Sequence, residues 1–146
     1  MFVQRVLPVA RERLVTTHVD TLFLNVVRLL QIQTDIIVVC GPEETLAGVI
    51  TKTDVVRLIG SYREACFAIL ASSVMTRSVV FCQPTDSLQH VWTRMKEGNL
   101  KNIPITDDEG RPIGVLSARD ALRSLLEEAE NEEALLLHYV MGVGYQ

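Results

Sequence analysis

The sequence predicts an α+β fold made of two tandem β-α-β-β-α units in pseudo-two-fold contact. Three observations support this prediction: a gapless internal repeat, short apolar strands that alternate with amphipathic helices, and one strand-to-helix junction that occurs in both copies. The junction spans Gly48–Asp54 in the first copy and Gly114–Asp120 in the second, 66 residues later. Because one such unit leaves a face of its sheet uncovered, we expect the two copies to pack sheet against sheet.

The repeat is visible when residues 8–57 are placed over residues 74–123. No gap is needed, and ten positions are identical, including the glycine and the aspartate of the junction. The repeat divides the chain into a first repeat at 8–60, a helical connection at 61–73, a second repeat at 74–126, and a C-terminal acidic helix and tail at 127–146.

The elements of the first repeat follow from its apolar periods and its turn residues. Asp20 is expected to open a helix, and Thr51 is a good N-cap for a second one. In order, the expected elements are strand Arg13–Thr16, helix Asp20–Gln31, strand Asp35–Cys40, turn Gly41–Glu44, strand Leu46–Ile50 and helix Thr51–Gly60.

The second repeat follows the same course. Asp86 and Gln89 have the spacing of a capping box, which predicts a helix start at this point. The expected elements are strand Val79–Cys82, helix Asp86–Glu97, strand Asn102–Thr106, turn Asp107–Gly110, strand Pro112–Leu116 and helix Ser117–Glu128. The acidic and then apolar stretch that follows is still helical in pattern, and Gly142 and Gly144 are expected to end it.

Composition limits the classes of function. The 146 residues are 48% hydrophobic, enough for a proper core, and carry a formal net charge of −4. An acidic chain is a poor match for nucleic acid or an anionic membrane, and no apolar run approaches the ~20 residues of a spanning helix. Three cysteines without C-x-x-C spacing are typical of a reduced compartment. We therefore expect a cytoplasmic protein with no nucleic-acid and no membrane partner.

The duplicated junction is the candidate site, and it has two interpretations. Thr51 with Asp54, and Ser117 with Asp120, are spaced as capping boxes, which stabilise a helix without any ligand. The same groups also suit a ligand. A helix N-terminus and its hydroxyl bind phosphate, a carboxylate accepts hydroxyls from a ribose, and Arg119 adds a cation beside Asp120.

A family resemblance favours the second interpretation. The residues that carry it are Val74–Val80, Asn102–Ile105 and Gly110–Asp120. With these motifs each half resembles a CBS domain, named from cystathionine β-synthase, and the pair resembles a stand-alone Bateman module over about residues 8–125. The resemblance implies a non-catalytic regulatory module that forms a homodimer, binds an adenosyl ligand in clefts between the repeats, and modulates a partner protein of unknown identity.

The implied ligands are AMP, ADP, ATP or S-adenosylmethionine, and no catalytic cofactor or metal is expected. In one cleft the family pattern assigns Asp120 to the ribose, and Ser117 and Arg119 to the phosphates. In the other it assigns Asp54 to the ribose and Thr51 to the phosphates. Segments of the opposite repeat are expected to close round the base. The remaining expected ligand-binding residues are Val79 and Asn102 in the Asp54 cleft, Arg13 and Ile36 in the Asp120 cleft, and Thr53 and Thr76.

Arg13 departs from the family pattern, which has a small apolar group at this position. It either reaches a phosphate or blocks the base. Two further functions stay open: a ligand-free module for dimerisation or protein interaction, in which the C-terminal helix binds the partner, and an enzyme. No sequence motif assembles a nucleophile, a base and an oxyanion hole, so the enzyme is the weakest of the three.

Overall fold

Two small β-sheets, one from each half of the chain, pack against each other at the centre of the fold. The computed structural model describes residues 1–144. The strands are β1 (Thr16–His18), β2 (Ile36–Cys40), β3 (Leu46–Thr51), β4 (Asn102–Thr106) and β5 (Pro112–Ser117). The α-helices are α1 (Leu7–Glu12), α2 (Phe23–Leu29), α3 (Lys52–Tyr62), α4 (Ala71–Val74), α5 (Leu88–Glu97) and α6 (Ala118–Gly144). Short 3₁₀ turns occupy Val3–Val6, Pro42–Glu44 and Arg63–Ala68.

The sheet topology confirms the predicted α+β class. In the first sheet β2 lies between a parallel β1 and an antiparallel β3. In the second sheet β4 and β5 are antiparallel. The two hairpins share an irregularity, because the register shifts at Val39/Cys40 and again at Ile105/Thr106, which are corresponding positions of the repeat.

All of β2 is buried because it is covered on both faces. Ile37 and Val39 pack among the helices of the first half. Ile36 and Val38 point the other way and join Val115 of the second sheet in a small apolar cluster. Burial on both faces explains why β2 is a continuous apolar run instead of an alternating one.

The halves exchange their first helices. Helix α1 packs on β5 of the second half, where Val3, Val6, Leu7 and Ala10 join the core that is built on α5. The same core contains Leu88, Val91, Met95, Ile103, Ile105 and Leu116. In return, Cys66, Ala71 and Met75 complete the core of the first half. The predicted division into repeats stays a prediction, since each half takes part of its core from across the boundary.

Two glycines allow this close exchange. A Cβ on Gly48 would lie 2.6 Å from the Met75 sulfur and 2.8 Å from the Thr76 carbonyl oxygen. A Cβ on Gly114 would lie 3.1 Å from Ala10. Strands β3 and β5 therefore each need a glycine at the point where a segment of the opposite half crosses the strand.

Several element boundaries differ from the expectation. The chain is helical to Glu12, so the first strand begins at Thr16 instead of Arg13. Helix α2 begins at Phe23, three residues after Asp20. The expected strand Val79–Cys82 is reduced to one parallel bridge between Cys82 and Ile105.

The predicted capping box at α5 is also wrong. Ser87 is the N-cap, and its hydroxyl accepts a hydrogen bond from the His90 amide at 3.4 Å. The Asp86 carboxylate accepts from the Gln83 amide at 2.8 Å, so it closes the turn before the helix. The sequence spacing suits both turns, and the side chain bonds in the turn before the helix.

The C-terminal region is a single long helix. Helix α6 continues from Ala118 through Gly144, so Gly142 does not end it as expected. The last two residues of the predicted tail lie outside the described residues. From Leu135 onward the described side chains of the helix are exposed, including Leu136 and Tyr139.

Candidate ligand-binding site

A cavity of about 220 Å³ lies at the junction between β3 and α3. We call it the Asp54 cavity. It is closed on one side by that junction and on the other by residues 76–80 and the start of β4. Its lining residues are Ile36, Val49, Thr51, Asp54, Thr76, Ser78, Val79, Val80, Leu100, Asn102, Ile103 and Pro104.

The helix start places Asp54 at this cavity through a complete capping box. The Asp54 amide donates to the Thr51 hydroxyl at 3.1 Å, and the Thr51 amide donates to Asp54 Oδ2 at 3.0 Å. Both reciprocal bonds fix the carboxylate at the first turn of α3. The sequence therefore predicts the local geometry of this junction correctly.

The Asp54 carboxylate keeps capacity for a ligand. Oδ1 accepts from an Arg57 guanidinium nitrogen at 3.0 Å, and Arg57 is 70% exposed. An ionised carboxylate offers about four acceptor positions, so about two remain after these bonds. An exposed ion pair is weak and gives way easily to a competing hydroxyl.

The opposite wall is held by main-chain pairing with β3. The Val49 amide donates to the Thr76 carbonyl at 3.0 Å, and the Thr76 amide donates to the Val49 carbonyl at 2.9 Å. This antiparallel bridge holds the residues after Thr76 extended, and Ser78 and Val79 face the cavity. The wall is apolar apart from small hydroxyls and the Asn102 amide, which suits a flat, weakly polar group.

Six of the expected ligand-binding residues meet at this cavity: Asp54, Thr51, Thr76, Val79, Asn102 and Ile36. Ile36 was expected in the Asp120 cleft, and the structure corrects this. Its side chain is buried on the sheet-facing side of β2, where it reaches the first junction. Thr53 is exposed and is not part of the lining.

A second cleft of about 530 Å³ lies at the junction between β5 and α6. We call it the cationic cleft, because four of its side chains are basic and one is acidic. Its lining residues are Arg13, Asp35, Trp92, Met95, Lys96, Asn99, Leu100, Lys101, Asn102, Ser117, Ala118 and Arg119. Ser117, Arg119, Arg13 and Asn102 were expected to bind ligand, whereas Lys96 and Lys101 were missed.

Asp120 does not face this cleft, which corrects a central expectation. It is 5% exposed, and Arg13 holds it with two bonds: Nε donates to Oδ2 at 2.6 Å and a terminal guanidinium nitrogen donates to Oδ1 at 3.2 Å. The Asp120 amide donates to the Ser117 hydroxyl at 3.2 Å, so only this half of the capping box forms. A paired, buried carboxylate is not available to a ribose.

The sequence contains little that would identify Lys96 and Lys101 as lining residues of this cleft. Lys96 and Lys101 flank the turn Gly98–Asn99 between α5 and β4, and the sequence alone gives a turn lysine no reason to face a site. The pairing of Asn102 with Ser117 brings this turn beside the second junction. In this register Lys101 lies next to Ala118, whose amide donates to the Lys101 carbonyl at 2.9 Å.

Two of the buried thiols, Cys40 and Cys82, are not reactive groups. Burial, with a smaller contribution from Asp86, raises the pKa of Cys82 to about 12, against a small lowering by Arg94. Burial followed by Glu44 raises the pKa of Cys40. Both thiols are neutral at neutral pH and poor nucleophiles. Within residues 1–144 no three potential His, Cys, Asp or Glu ligands group into a metal site.

One family model matches the second half of the chain. The CBS domain family model matches residues 71–127. The chain carries a CBS domain. This match covers the second repeat and confirms the resemblance that its motifs predict.

A curated relative matches part of the chain. L-aspartate semialdehyde sulfurtransferase of Methanocaldococcus jannaschii is 26% identical over 78 residues, which is 53% of this chain. The chain spans only 14% of the length of that protein. The similarity therefore concerns a part of each protein and not the whole sulfurtransferase.

Solved structures of CBS-domain proteins have the same fold over most of the chain. A CBS-domain protein from Agrobacterium tumefaciens matches with a TM-score of 0.72 at 24% identity, covering 85% of this chain and 98% of that one. The CBS pair of protein MJ0100, in complex with 5-methylthioadenosine and S-adenosyl-L-methionine, has a TM-score of 0.72 at 19% identity, with coverages of 86% and 99%. CBSX2 in complex with AMP has a TM-score of 0.69 at 20% identity, with coverages of 82% and 92%. These likenesses establish the fold of a CBS-domain pair. In the described part of the chain, no helix is both long and apolar enough for a transmembrane span.

Proposed function

We propose that this CBS pair is a non-catalytic regulatory module that binds an adenosyl ligand in the Asp54 cavity. The observation that carries the proposal is the meeting of an apolar slot with a partly unsatisfied carboxylate at a helix start. The slot suits an adenine ring, and the carboxylate suits the two vicinal hydroxyls of a ribose. Solved CBS pairs with AMP, and with 5-methylthioadenosine and S-adenosylmethionine, support this ligand class.

The size of the cavity indicates how the ligand would sit. About 220 Å³ lies below the roughly 300–1,000 Å³ of pockets that enclose a whole drug-sized ligand. We expect Val49 and Val79 to enclose the base, with the ribose at the mouth beside Asp54. The Asn102 amide is placed to recognise a polar edge of the ring.

Thermal unfolding with added ligand tests this proposal. The compounds are adenosine, AMP, ADP, ATP and S-adenosylmethionine, each at a concentration series. Ligand at 100 times its Kd stabilises a protein by about 2.7 kcal/mol, which shifts the melting temperature by several degrees. We expect at least one compound to stabilise the wild-type protein, and guanosine to stabilise it less.

Asp54→Asn is the informative variant. The asparagine keeps an oxygen for the Thr51 amide, so the helix start is retained while the charge that accepts ribose hydroxyls is lost. The matched control is Asp86→Asn, which changes the turn-closing carboxylate of the second repeat outside the cavity. We expect loss of the ligand shift in the first variant and its retention in the second. A folded wild-type protein that responds to none of the five compounds contradicts the proposal.

A second candidate function, interaction with a protein, is favoured by the exposed apolar end of α6. Leu135, Leu136, Leu137, Tyr139 and Val140 are between 58% and 70% exposed. A helix that is apolar on all sides is normally covered by protein. A homodimer through this end would be weakened by Leu136→Glu, and sedimentation of the full chain across a concentration series measures it. An unchanged monomer–dimer distribution contradicts the assignment of this surface.

A further inference from the structure

The negative charge of the protein is concentrated in the second part of helix α6. All 14 Lys and Arg residues lie at or before Arg123, whereas five glutamates lie within the short segment Glu127–Glu133. The chain up to Arg123 contains the other 13 of the 18 acidic residues, so the formal net charge of −4 comes entirely from the residues that follow. Such a separation of charge between a body and a projecting helix favours contact with a surface of opposite charge.

The acidic segment has no basic partner within its own chain. Helix α6 is continuous over its 27 residues, which corresponds to a length of about 40 Å. Ala121 and Leu125 on its inner face pack on the core of the second half, whereas Glu130 and every described side chain after it are exposed. Among residues 1–144, no basic nitrogen lies within 4.0 Å of the Glu127 or Glu130 carboxylate. A straight helix that leaves the core keeps these carboxylates away from the basic body of its own chain.

The outer face of α6 carries a stripe of basic, apolar and acidic residues in that order. The six residues of the stripe line one groove of about 340 Å³, and all of them belong to this helix: Arg119, Leu122, Arg123, Leu126, Glu127 and Glu130. Their spacing of three and four residues places them on one face. Leu122 and Leu126 are 39% and 54% exposed. A groove whose lining comes from a single helix lacks its opposite wall.

We propose that the α6 helix of a second copy supplies this wall and lies antiparallel across the stripe. Arg123 and Glu127 have their midpoint at position 125. Arg119 and Glu130 have the same midpoint within half a residue. One two-fold axis at this position therefore places each arginine of one copy opposite a glutamate of the other, with the leucines of both copies between them. A two-fold contact of this kind pairs the same patch on both copies, so it closes as a dimer.

The arginines of the stripe are available for this contact. In the part of the chain that the structure describes, Arg119 has no acidic oxygen within 4.0 Å. Arg123 is 64% exposed and lies 3.8 Å from Asp120, which already has closer bonds with Arg13. Antiparallel helices bring these arginines to glutamates, whereas parallel helices in register would bring like charge to like charge. The charge pattern therefore selects the antiparallel direction.

The antiparallel direction also gives the apolar end of α6 a place on the second copy. Leu137 and Met141 continue the stripe at helical spacing after Glu130, and they are 59% and 51% exposed. At 1.5 Å per residue, Leu137 lies about 18 Å from the axis, whereas the helix of the other copy begins at Ala118, about 10 Å from it. The apolar end therefore passes the start of that helix and reaches the turn between α5 and β4, whose Lys101 carbonyl accepts from the Ala118 amide.

Charge reversal tests the pairing, which deepens the second candidate function. The variants Arg119→Glu/Arg123→Glu and Glu127→Arg/Glu130→Arg of the full chain are compared with wild type by sedimentation over a concentration series. In each variant the four charged positions of the stripe carry one sign. We therefore expect the dimer dissociation constant of each to rise at least about tenfold. An equimolar mixture of the two variants should regain the wild-type dimer, because every facing pair is then opposite in charge.

The matched control is Glu128→Arg/Glu132→Arg, which makes the same change of charge on the same helix. Glu128 and Glu132 line a groove on the side of α6 that faces α5, and neither belongs to the stripe. At physiological salt, which screens charges that are not in contact, we expect its dissociation constant to stay within about threefold of wild type. Thermal unfolding confirms that all variants are folded.

Three results would overturn the pairing. The first is a wild-type chain that stays monomeric at the highest concentration reached, which would assign this face to a different protein. The second is an equal weakening in the control, and the third is a mixture of the two variants that does not dimerise. If Leu136→Glu weakens the dimer and the charge reversals do not, self-association through the apolar end stands while the antiparallel stripe fails. Adenosine stabilisation through Asp54 is recorded separately for wild type, so failure of the pairing is distinct from failure of ligand binding.

Discussion

Thr51 and Ser117 begin helices at corresponding positions of the two repeats, yet the acids that follow them have different partners. Asp54 bonds back to the Thr51 amide and keeps an exposed arginine as its other contact. Asp120 instead bonds across the molecule to Arg13 and is nearly inaccessible. One carboxylate stays at the edge of a cavity, and the other is a structural ion pair.

The cause of this difference lies in the segments that reach each junction from the opposite half. The segment before the second sheet becomes extended at Met75 and pairs with β3, which leaves Val79 to face the cavity. The corresponding segment of the first half stays helical through Glu12, and Arg13 then crosses to Asp120. The motif therefore provides the carboxylate, and the opposite half decides whether a ligand reaches it.

Among the variants that test the difference between Asp54 and Asp120, we expect Arg13→Ala to have the largest effect. It leaves the buried Asp120 carboxylate with only the longer contact to Arg123, 3.8 Å from Oδ1, and removing one member of a buried pair costs about 3–5 kcal/mol. Because Arg13 is 38% exposed, solvent screens part of the charge interaction. We therefore expect a loss of about 2 kcal/mol in the free energy of unfolding. Urea denaturation measures the loss.

The double variant Arg13→Ala/Asp120→Asn is the control for this effect. With no charge left to bury, it is expected to recover part of the stability that Arg13→Ala loses. If the single variant is as stable as wild type, the ion pair contributes nothing to the fold, and only burial then distinguishes Asp120 from Asp54.

Gly48→Ala tests the segment that forms the cavity, with Gly114→Ala as its counterpart. The added methyl at Gly48 meets the Thr76 carbonyl oxygen at 2.8 Å, so the backbone of the opposite wall must move. Overpacking of this kind costs about 1–3 kcal/mol. At Gly114 the nearest atoms are 3.1 Å away, and we expect a smaller loss. Denaturation and adenosine affinity are measured for both.

The same pair of glycines separates stability from ligand binding. Displacement of Thr76 in Gly48→Ala should reduce adenosine affinity. Gly114→Ala affects the contact of β5 with Ala10 and should leave adenosine affinity unchanged. Equal losses of affinity in the two variants would show that the Asp54 cavity does not depend on its wall.

The sequence alone predicts the parts of this molecule that depend on local chemistry. The repeat, the hairpins and the Thr51–Asp54 capping box follow from apolar periods and short spacings. The packing of α1 on β5 and the ion pair of Arg13 with Asp120 do not, because both join residues far apart in the chain, 107 positions in the case of the ion pair. The predicted strand Val79–Cys82 also depends on distant residues. The segment bridges β3 at Thr76 and β4 at Cys82, so Val79–Cys82 itself forms only one bridge.

Site prediction divides along the same line. Asp54, Thr51 and Val79 belong to sequence motifs and do meet at a cavity, although their binding role stays a prediction. Ile36 was assigned to the wrong cleft, because residues of one strand that face the opposite sheet can reach either junction. Lys96 and Lys101 lie outside every motif and become visible only when the α5–β4 turn is seen beside α6.

Arg57→Ala has the smallest expected effect and sharpens the contrast with Arg13→Ala. Arg57 is exposed and its bridge to Asp54 lies within one helix turn, so its removal should change the free energy of unfolding by less than about 0.5 kcal/mol. Asp54 keeps its bond with the Thr51 amide and gains a free oxygen. We therefore expect adenosine affinity to stay within about threefold of wild type, measured by calorimetry. A loss greater than tenfold would mean that Asp54 needs its arginine as Asp120 needs Arg13, and the distinction between an open and a closed carboxylate would no longer hold.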